Sequence, residues 1–87
     1  MTIYMADRNL PDITIEKLAA AQKAAIATAA EMRRDGDDIR YIRSTFVPGS
    51  SRCMCLFEAK SPESVRKLND TARIPYESVV EAYDLTP

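Results

Sequence analysis

The alternation of two hydrophobic periodicities along the chain constrains its fold more than any other feature. Four segments have the two-residue period of β-strands: 2–8, 38–47, 52–59 and 76–85. Two segments have the helical period instead, one from Thr14 to about Arg34 and one from Pro62 to about Ala72. The predicted order of elements is therefore β-α-β-β-α-β.

Residues with known preferences for helix ends support these boundaries. Thr14 and Ser61 are predicted N-caps, and Pro62 suits the first turn of the second helix. Gly36 follows the first helix and is expected to adopt the left-handed conformation that ends it. Alanines dominate residues 19–30, which predicts a slim helix face that lies close to a sheet.

Two split β-α-β units in this order are typical of the ferredoxin-like α+β fold. We therefore expect a four-stranded antiparallel sheet with strand order 4-1-3-2 and two helices on one face. The 87 residues correspond to a single domain, 1–87.

The third strand is apolar on both faces, although two helices can cover only one. Cys53, Cys55 and Phe57 alternate with Met54 and Leu56. The second strand is interpreted in the same way, with Ile42 and Phe46 on one face and Ile39, Tyr41 and Val47 on the other. We predict a homodimer closed through the helix-free sheet face, which makes a dimeric α+β barrel. In the alternative, the aliphatic stems of arginines cover this face: Arg40, Arg43 and Arg52.

The composition limits which partners the protein can bind and in which cellular compartment it is expected. Twelve basic and thirteen acidic residues give a net charge of −1, which argues against nucleic acid and anionic membranes as partners. Cys53 and Cys55 are only two positions apart on one strand and cannot form a disulfide with each other. Alternate side chains on one strand face lie about 7 Å apart, which is farther than a disulfide spans. With no signal peptide in residues 1–10, a cytoplasmic protein is expected.

The two cysteines are a candidate metal site. Thiolates of Cys53 and Cys55 on one strand face can hold nickel, zinc or copper(I) if a partner chain adds ligands. The structural alternative is that both are small buried hydrophobic residues in the helix-facing core.

A second candidate site lies near the end of the first strand. We expect Tyr4, Asp7 and Arg8 to line a small pocket between the sheet and the first helix, together with Tyr41 and Arg43. Arginine and tyrosine together can orient an anionic or phenolic ligand. Alternatively, Asp7 and Arg8 form ion pairs that set strand register.

The order of several short motifs resembles that of a known family. Tyr4, Asp7-Arg8 and Pro11 match a Tyr-x-x-Glu-Arg-x-x-Pro pattern. Residues 55–59 are similar to a Cys-Val-Tyr-Glu-Ala strand. Further matches in spacing are Tyr41-Ile42-Arg43-Ser44, Pro62-Glu63, and Ile74-Pro75 through Val79-Val80. The chain thus resembles small bacterial ferredoxin-like proteins of unknown function, some of them described as nickel-binding or nickel-responsive.

This resemblance implies a dimeric α+β barrel and, in some members, nickel held partly by histidine. The sequence contains no histidine. Arg43 and Leu68 occupy positions where relatives often have one, and neither side chain can ligate a metal. The resemblance therefore supports the fold and the dimer and weakens the case for nickel as a cofactor.

Three functions remain as alternatives, and one of them is a dimerising module that binds no ligand. The first is a homodimeric domain that binds a small molecule or, failing that, a metal ion. The second is a cofactor-free monooxygenase or isomerase of the dimeric α+β barrel type, which rests on fold analogy alone. A cavity lined by Tyr4, Tyr41, Phe57 and a carboxylate would favour the enzyme.

Overall fold

The computed structural model describes residues 1–87 and has the predicted order of elements. The four strands form one antiparallel sheet in the order β2-β3-β1-β4, which confirms the expected ferredoxin-like topology. The elements are β1 (Thr2–Asn9), α1 (Ile15–Arg34), β2 (Arg40–Val47), β3 (Arg52–Ala59), α2 (Pro62–Ala72) and β4 (Ser78–Glu81). No helix is long and apolar enough to cross a membrane.

The predicted helix ends are confirmed. The Thr14 hydroxyl accepts a hydrogen bond from the Lys17 amide at 3.1 Å, and the Ser61 hydroxyl accepts one from the Ser64 amide at 3.3 Å. Gly36 has a φ of +96° just after α1, a conformation that glycine adopts without steric cost. The left-handed residue that ends α2 is Arg73, which no glycine or asparagine signals in the sequence.

A β-bulge in β2 changes which side chains face the helices. Tyr41 pairs with Phe57 and Arg43 pairs with Leu56, so Ile42 is the extra residue. The prediction that Tyr41 and Phe46 lie on opposite faces is wrong, because this extra residue shifts the alternation by one position. Tyr41 instead packs on Phe57 from the helix side, with ring centroids 5.7 Å apart and planes at 75°.

The last strand is shorter than predicted. It covers Ser78–Glu81 rather than 76–85, although the Ala82 amide still donates to Ile3 at 2.9 Å. Beyond this point the chain leaves the edge of the sheet, and the Asp84 carboxylate reaches Arg43 of β2 at 3.2 Å. Since β2 is the opposite edge strand, residues 83–85 cross the sheet instead of extending β4.

The core lies between the sheet and the helices, and α1 approaches the sheet unevenly. The C-terminal half of α1 buries Ala25, Ala29 and Met32, whereas Leu18 and Ala21 in its N-terminal half are half-buried. As a whole, α1 packs beside α2 and β2 rather than on the central strands. The prediction that the alanine face lies close to the sheet is therefore right for half of the helix only.

Candidate small-molecule cavity

The gap under the N-terminal half of α1 forms a cavity of about 270 Å³, called here the helix–sheet cavity. Its walls are mostly apolar, and fourteen residues line it. They come from α1, from the helix-facing side of the sheet and from two loops: Arg8, Leu10, Ile15, Leu18, Ala19, Ala21, Gln22, Ala25, Tyr41, Ser44, Phe46, Cys53, Cys55 and Ile74.

Arg8 is the charged residue of this cavity, and it is 2% exposed. It lies on β1 directly opposite Cys53. Its Nη1 donates to Asn69 Oδ1 at 2.9 Å and to the Pro75 carbonyl at 3.1 Å. Its Nε is buried without a hydrogen-bond partner, and no carboxylate forms an ion pair with it. The cavity thus contains a buried cation without a counter-ion.

A chain of polar groups lies at the exposed side of the cavity. Gln22 Nε2 donates to Tyr41 Oη at 3.1 Å, and Tyr41 Oη lies 2.6 Å from Ser44 Oγ. Ser44 Oγ in turn donates to Cys55 Sγ at 2.9 Å. Gln22 and Ser44 are exposed, so these groups form a polar entrance to an apolar interior.

The two cysteines are free and buried, and their sulfur atoms are 3.8 Å apart. Burial, and next the neighbouring Cys55, raise the pKa of the Cys53 thiol to about 11. The Cys53 thiol is therefore neutral at pH 7, whereas a metal ligand must be a thiolate.

The residues present do not fit a nickel site. No group of three or more histidine, cysteine or carboxylate side chains comes together anywhere in the chain. The buried Arg8 cation beside Cys53 also disfavours a second positive charge there. The cysteines thus occupy the helix-facing core, the structural alternative considered for them.

Two of the predicted pocket residues, Asp7 and Arg43, lie on the other face of the sheet. Asp7 accepts from Arg52 Nη2 at 2.9 Å, and Arg43 pairs with Asp84. The expectation that they line the pocket with Arg8 is wrong for both residues. Asp7 faces away because it neighbours Arg8 on a strand, and Arg43 because of the bulge at Ile42.

Of the remaining three predicted residues, two line the cavity and one does not. The structure brings Arg8 and Tyr41 to the helix–sheet cavity. Tyr4 faces the same side of the sheet, but it pairs with Phe57 and Glu81 farther along β1 and packs against the core. Tyr4 does not line the cavity.

Sequence reasoning missed Asn69, which is fully buried in α2 and positions Arg8. A signal was available, because Asn69 follows Val65 by four residues and so shares its buried helix face. Its Nδ2 donates to the Val65 carbonyl at 2.8 Å, which directs Oδ1 towards Arg8. Gln22 and Ser44 were also missed, and nothing in their sequence context distinguishes them from surface polar residues.

The fold and the cavity together define a ferredoxin-like α+β domain with a partly open site between its sheet and its first helix. Residues 4–82 match the family described as nickel responsive protein SCO4226-like, and the chain belongs to this family. The crystal structure of SCO4226 from Streptomyces coelicolor A3(2) is similar, with a TM-score of 0.81 and 20% sequence identity. The match covers 97% of this chain and 99% of that one, and at this identity it shows the fold alone. No curated protein matches the chain.

Proposed function

We propose that this protein is a homodimeric binding domain that holds a small organic molecule in the helix–sheet cavity. The observation that carries the proposal is Arg8, a buried cation with an unused N–H group beside an apolar cavity. Unpaired buried charges cost several kcal/mol, and they concentrate at functional sites.

Cavity shape and lining favour an organic ligand over a metal ion. Pockets for small molecules are typically apolar concavities with a few placed polar groups, which describes Arg8, Tyr41 and Ser44 within this lining. The family description refers to nickel. For this chain, the lack of histidine and of any three-ligand cluster supports a ligand held by Arg8 rather than by metal coordination.

The lining also supports binding over catalysis. A monooxygenase or isomerase that deprotonates its substrate needs a general base within hydrogen-bond reach. No aspartate or glutamate lines the helix–sheet cavity. The carboxylate that would have favoured the enzyme is therefore missing from it.

The dimer is proposed from the opposite side of the sheet, called here the open face because no helix covers it, although residues 83–85 cross it to reach Arg43. Met5 pairs with Leu56 on β3 and with Val80 on β4, which makes a continuous apolar row across three strands. Val80 is 45% exposed, and Ile3 and Met54 extend the patch. Hiding about 400 Å² per subunit at about 25 cal/mol per Å² is worth on the order of 10 kcal/mol before association costs.

A neutral apolar probe tests the cavity directly. Indole titrated into ¹⁵N-labelled protein is expected to shift the amide signals of Leu18, Ala21 and Cys53, which surround the cavity. Ala21→Leu fills part of the space and is expected to weaken these shifts. Ala20→Leu adds the same atoms on the exposed side of α1 and should leave them unchanged.

Two results would overturn the cavity proposal. One is the absence of shifts at millimolar indole. The other is an equal response of wild type and Ala21→Leu, since it would place the probe elsewhere on the protein.

A further inference from the structure

The hydrogen bonds of Arg8 leave one edge of its guanidinium free. Both bonds to Asn69 and Pro75 come from Nη1, while Nε is buried and unpaired and Nη2 makes no hydrogen bond. The Nε–Nη2 edge carries two parallel N–H groups, a geometry that matches the two oxygens of a carboxylate. Asn69 and Pro75 thus hold the guanidinium through Nη1, and its Nε–Nη2 edge makes no hydrogen bond to the protein.

We propose that the ligand of the helix–sheet cavity is a small monocarboxylate with an apolar body, bound side-on through its carboxylate by the Nε–Nη2 edge of Arg8. This inference rests on the proposed function and names the chemical class that the site takes.

Charge balance supports a single negative charge on the ligand. Arg8 contributes one positive charge, and no aspartate or glutamate lines the cavity to neutralise it. Cys53, directly opposite on β3, stays protonated and cannot act as the counter-ion. A monocarboxylate therefore leaves the interior neutral, whereas a dianionic phosphate would leave an excess negative charge against mostly apolar walls.

The volume and the lining of the cavity limit the size and the polarity of the rest of the ligand. A cavity of about 270 Å³ lies just below the range of about 300–1,000 Å³ that holds drug-sized ligands. It corresponds to about nine water molecules at about 30 Å³ each. Leu10, Leu18, Phe46 and Ile74 provide apolar walls. A single-ring or short-chain acid satisfies both limits.

A matched pair of probes separates the carboxylate from the apolar body. Benzoate and benzamide have nearly the same shape, but only benzoate carries a negative charge at pH 7. We expect benzoate to bind wild type at least about tenfold more tightly than benzamide, measured by amide shifts around the cavity, which is about 1.4 kcal/mol.

Two substitutions of Arg8 locate the effect. Arg8→Gln keeps a donor for Asn69 without the charge, and it should remove the preference for benzoate over benzamide. Arg8→Lys keeps the charge without the two-pronged edge and should give an intermediate affinity. Thermal melts show which variants fold, and if neither does, the wild-type comparison of the two probes decides alone.

The outcomes distinguish this inference from the proposed function. Equal affinity of benzoate and benzamide, with shifts confined to the cavity, would overturn the carboxylate and leave the small-molecule cavity standing. Tighter binding of benzoate with amide shifts away from the cavity would also overturn the proposal that Arg8 binds a carboxylate. If neither these probes nor indole bind the cavity at millimolar concentration, the inference and the proposed function fail together.

Discussion

Arg8 and Asn69 lie 61 residues apart in the chain and share a buried hydrogen bond of 2.9 Å between Nη1 and Oδ1. Asn69 can accept this bond because its amide group is already oriented by its donation to Val65. The pair links β1 to α2 at the side of the cavity. It also orients the guanidinium, whose Nε has no hydrogen-bond partner.

Removal of Asn69 should destabilise the fold. Asn69→Ala leaves the Arg8 guanidinium with the Pro75 carbonyl as its one hydrogen-bond acceptor. We expect the free energy of unfolding to fall by about 2–3 kcal/mol, measured by urea denaturation. Lys67→Ala, an exposed change on the same helix, should cost less than about 0.5 kcal/mol. Equal losses for the two variants would contradict a structural role for the buried pair.

Stability should decline at high pH because of Cys53. Its pKa is raised to about 11 in the folded protein, so folding favours the neutral thiol. This contribution is complete below about pH 8.5 and is lost as the pH rises through about 11. Urea melts at pH 8 and pH 11 should show a fall about 2 kcal/mol larger in wild type than in Cys53→Ala. Tyrosines and lysines titrate in both proteins, so the difference between wild type and Cys53→Ala removes their contribution. An equal loss of unfolding free energy between pH 8 and pH 11 in the two proteins would refute the prediction.

A charge on the open face should dissociate the proposed dimer. Leu56→Glu places a carboxylate in the middle of the apolar row, where a partner would leave it unpaired. Light scattering at tens of micromolar should give twice 9.7 kDa for wild type and 9.7 kDa for the variant. Ile26→Glu, on the exposed side of α1, should remain dimeric. A monomeric wild type would disprove the dimer.

The protein should not retain nickel. It offers two buried thiols beside a buried cation and no third ligand. Native mass spectrometry of untagged protein after incubation with Ni²⁺ is expected to show the metal-free mass, and EDTA should leave the melting temperature unchanged. A polyhistidine-tagged sample serves as the positive control because the tag itself binds nickel. Stoichiometric nickel on the untagged chain would revive Cys53 and Cys55 as ligands.

Partial filling of the helix–sheet cavity should stabilise the protein. Ala21→Leu adds three carbon atoms to a half-buried position that lines the cavity. We expect the free energy of unfolding to rise by about 1 kcal/mol, measured by urea denaturation. Ala20→Leu, on the exposed side, should change it by less than about 0.5 kcal/mol. A large loss for Ala21→Leu would mean that α1 already packs tightly at this position.

The secondary structure and the helix ends were predicted correctly because they depend on residues close together in the chain. The two hydrophobic periods place the strands and helices, and Thr14, Ser61 and Gly36 mark where helices begin and end. These signals act within a few residues, so they are legible in the chain itself. The strand order follows from the restricted ways in which two split β-α-β units can form one sheet.

Contacts between distant segments decided the rest. The bulge at Ile42 placed Tyr41 and Arg43 on opposite faces of the sheet, whereas strict alternation predicts the same face for both. The helix α1 packs against α2 and β2, and the cavity lies between its N-terminal half and the sheet. The sequence by itself thus determined the elements and their topology, because each depends on local periodicity. Tertiary structure alone decided which polar groups meet at the site, because Arg8 and Asn69 come together only when β1 and α2 pack.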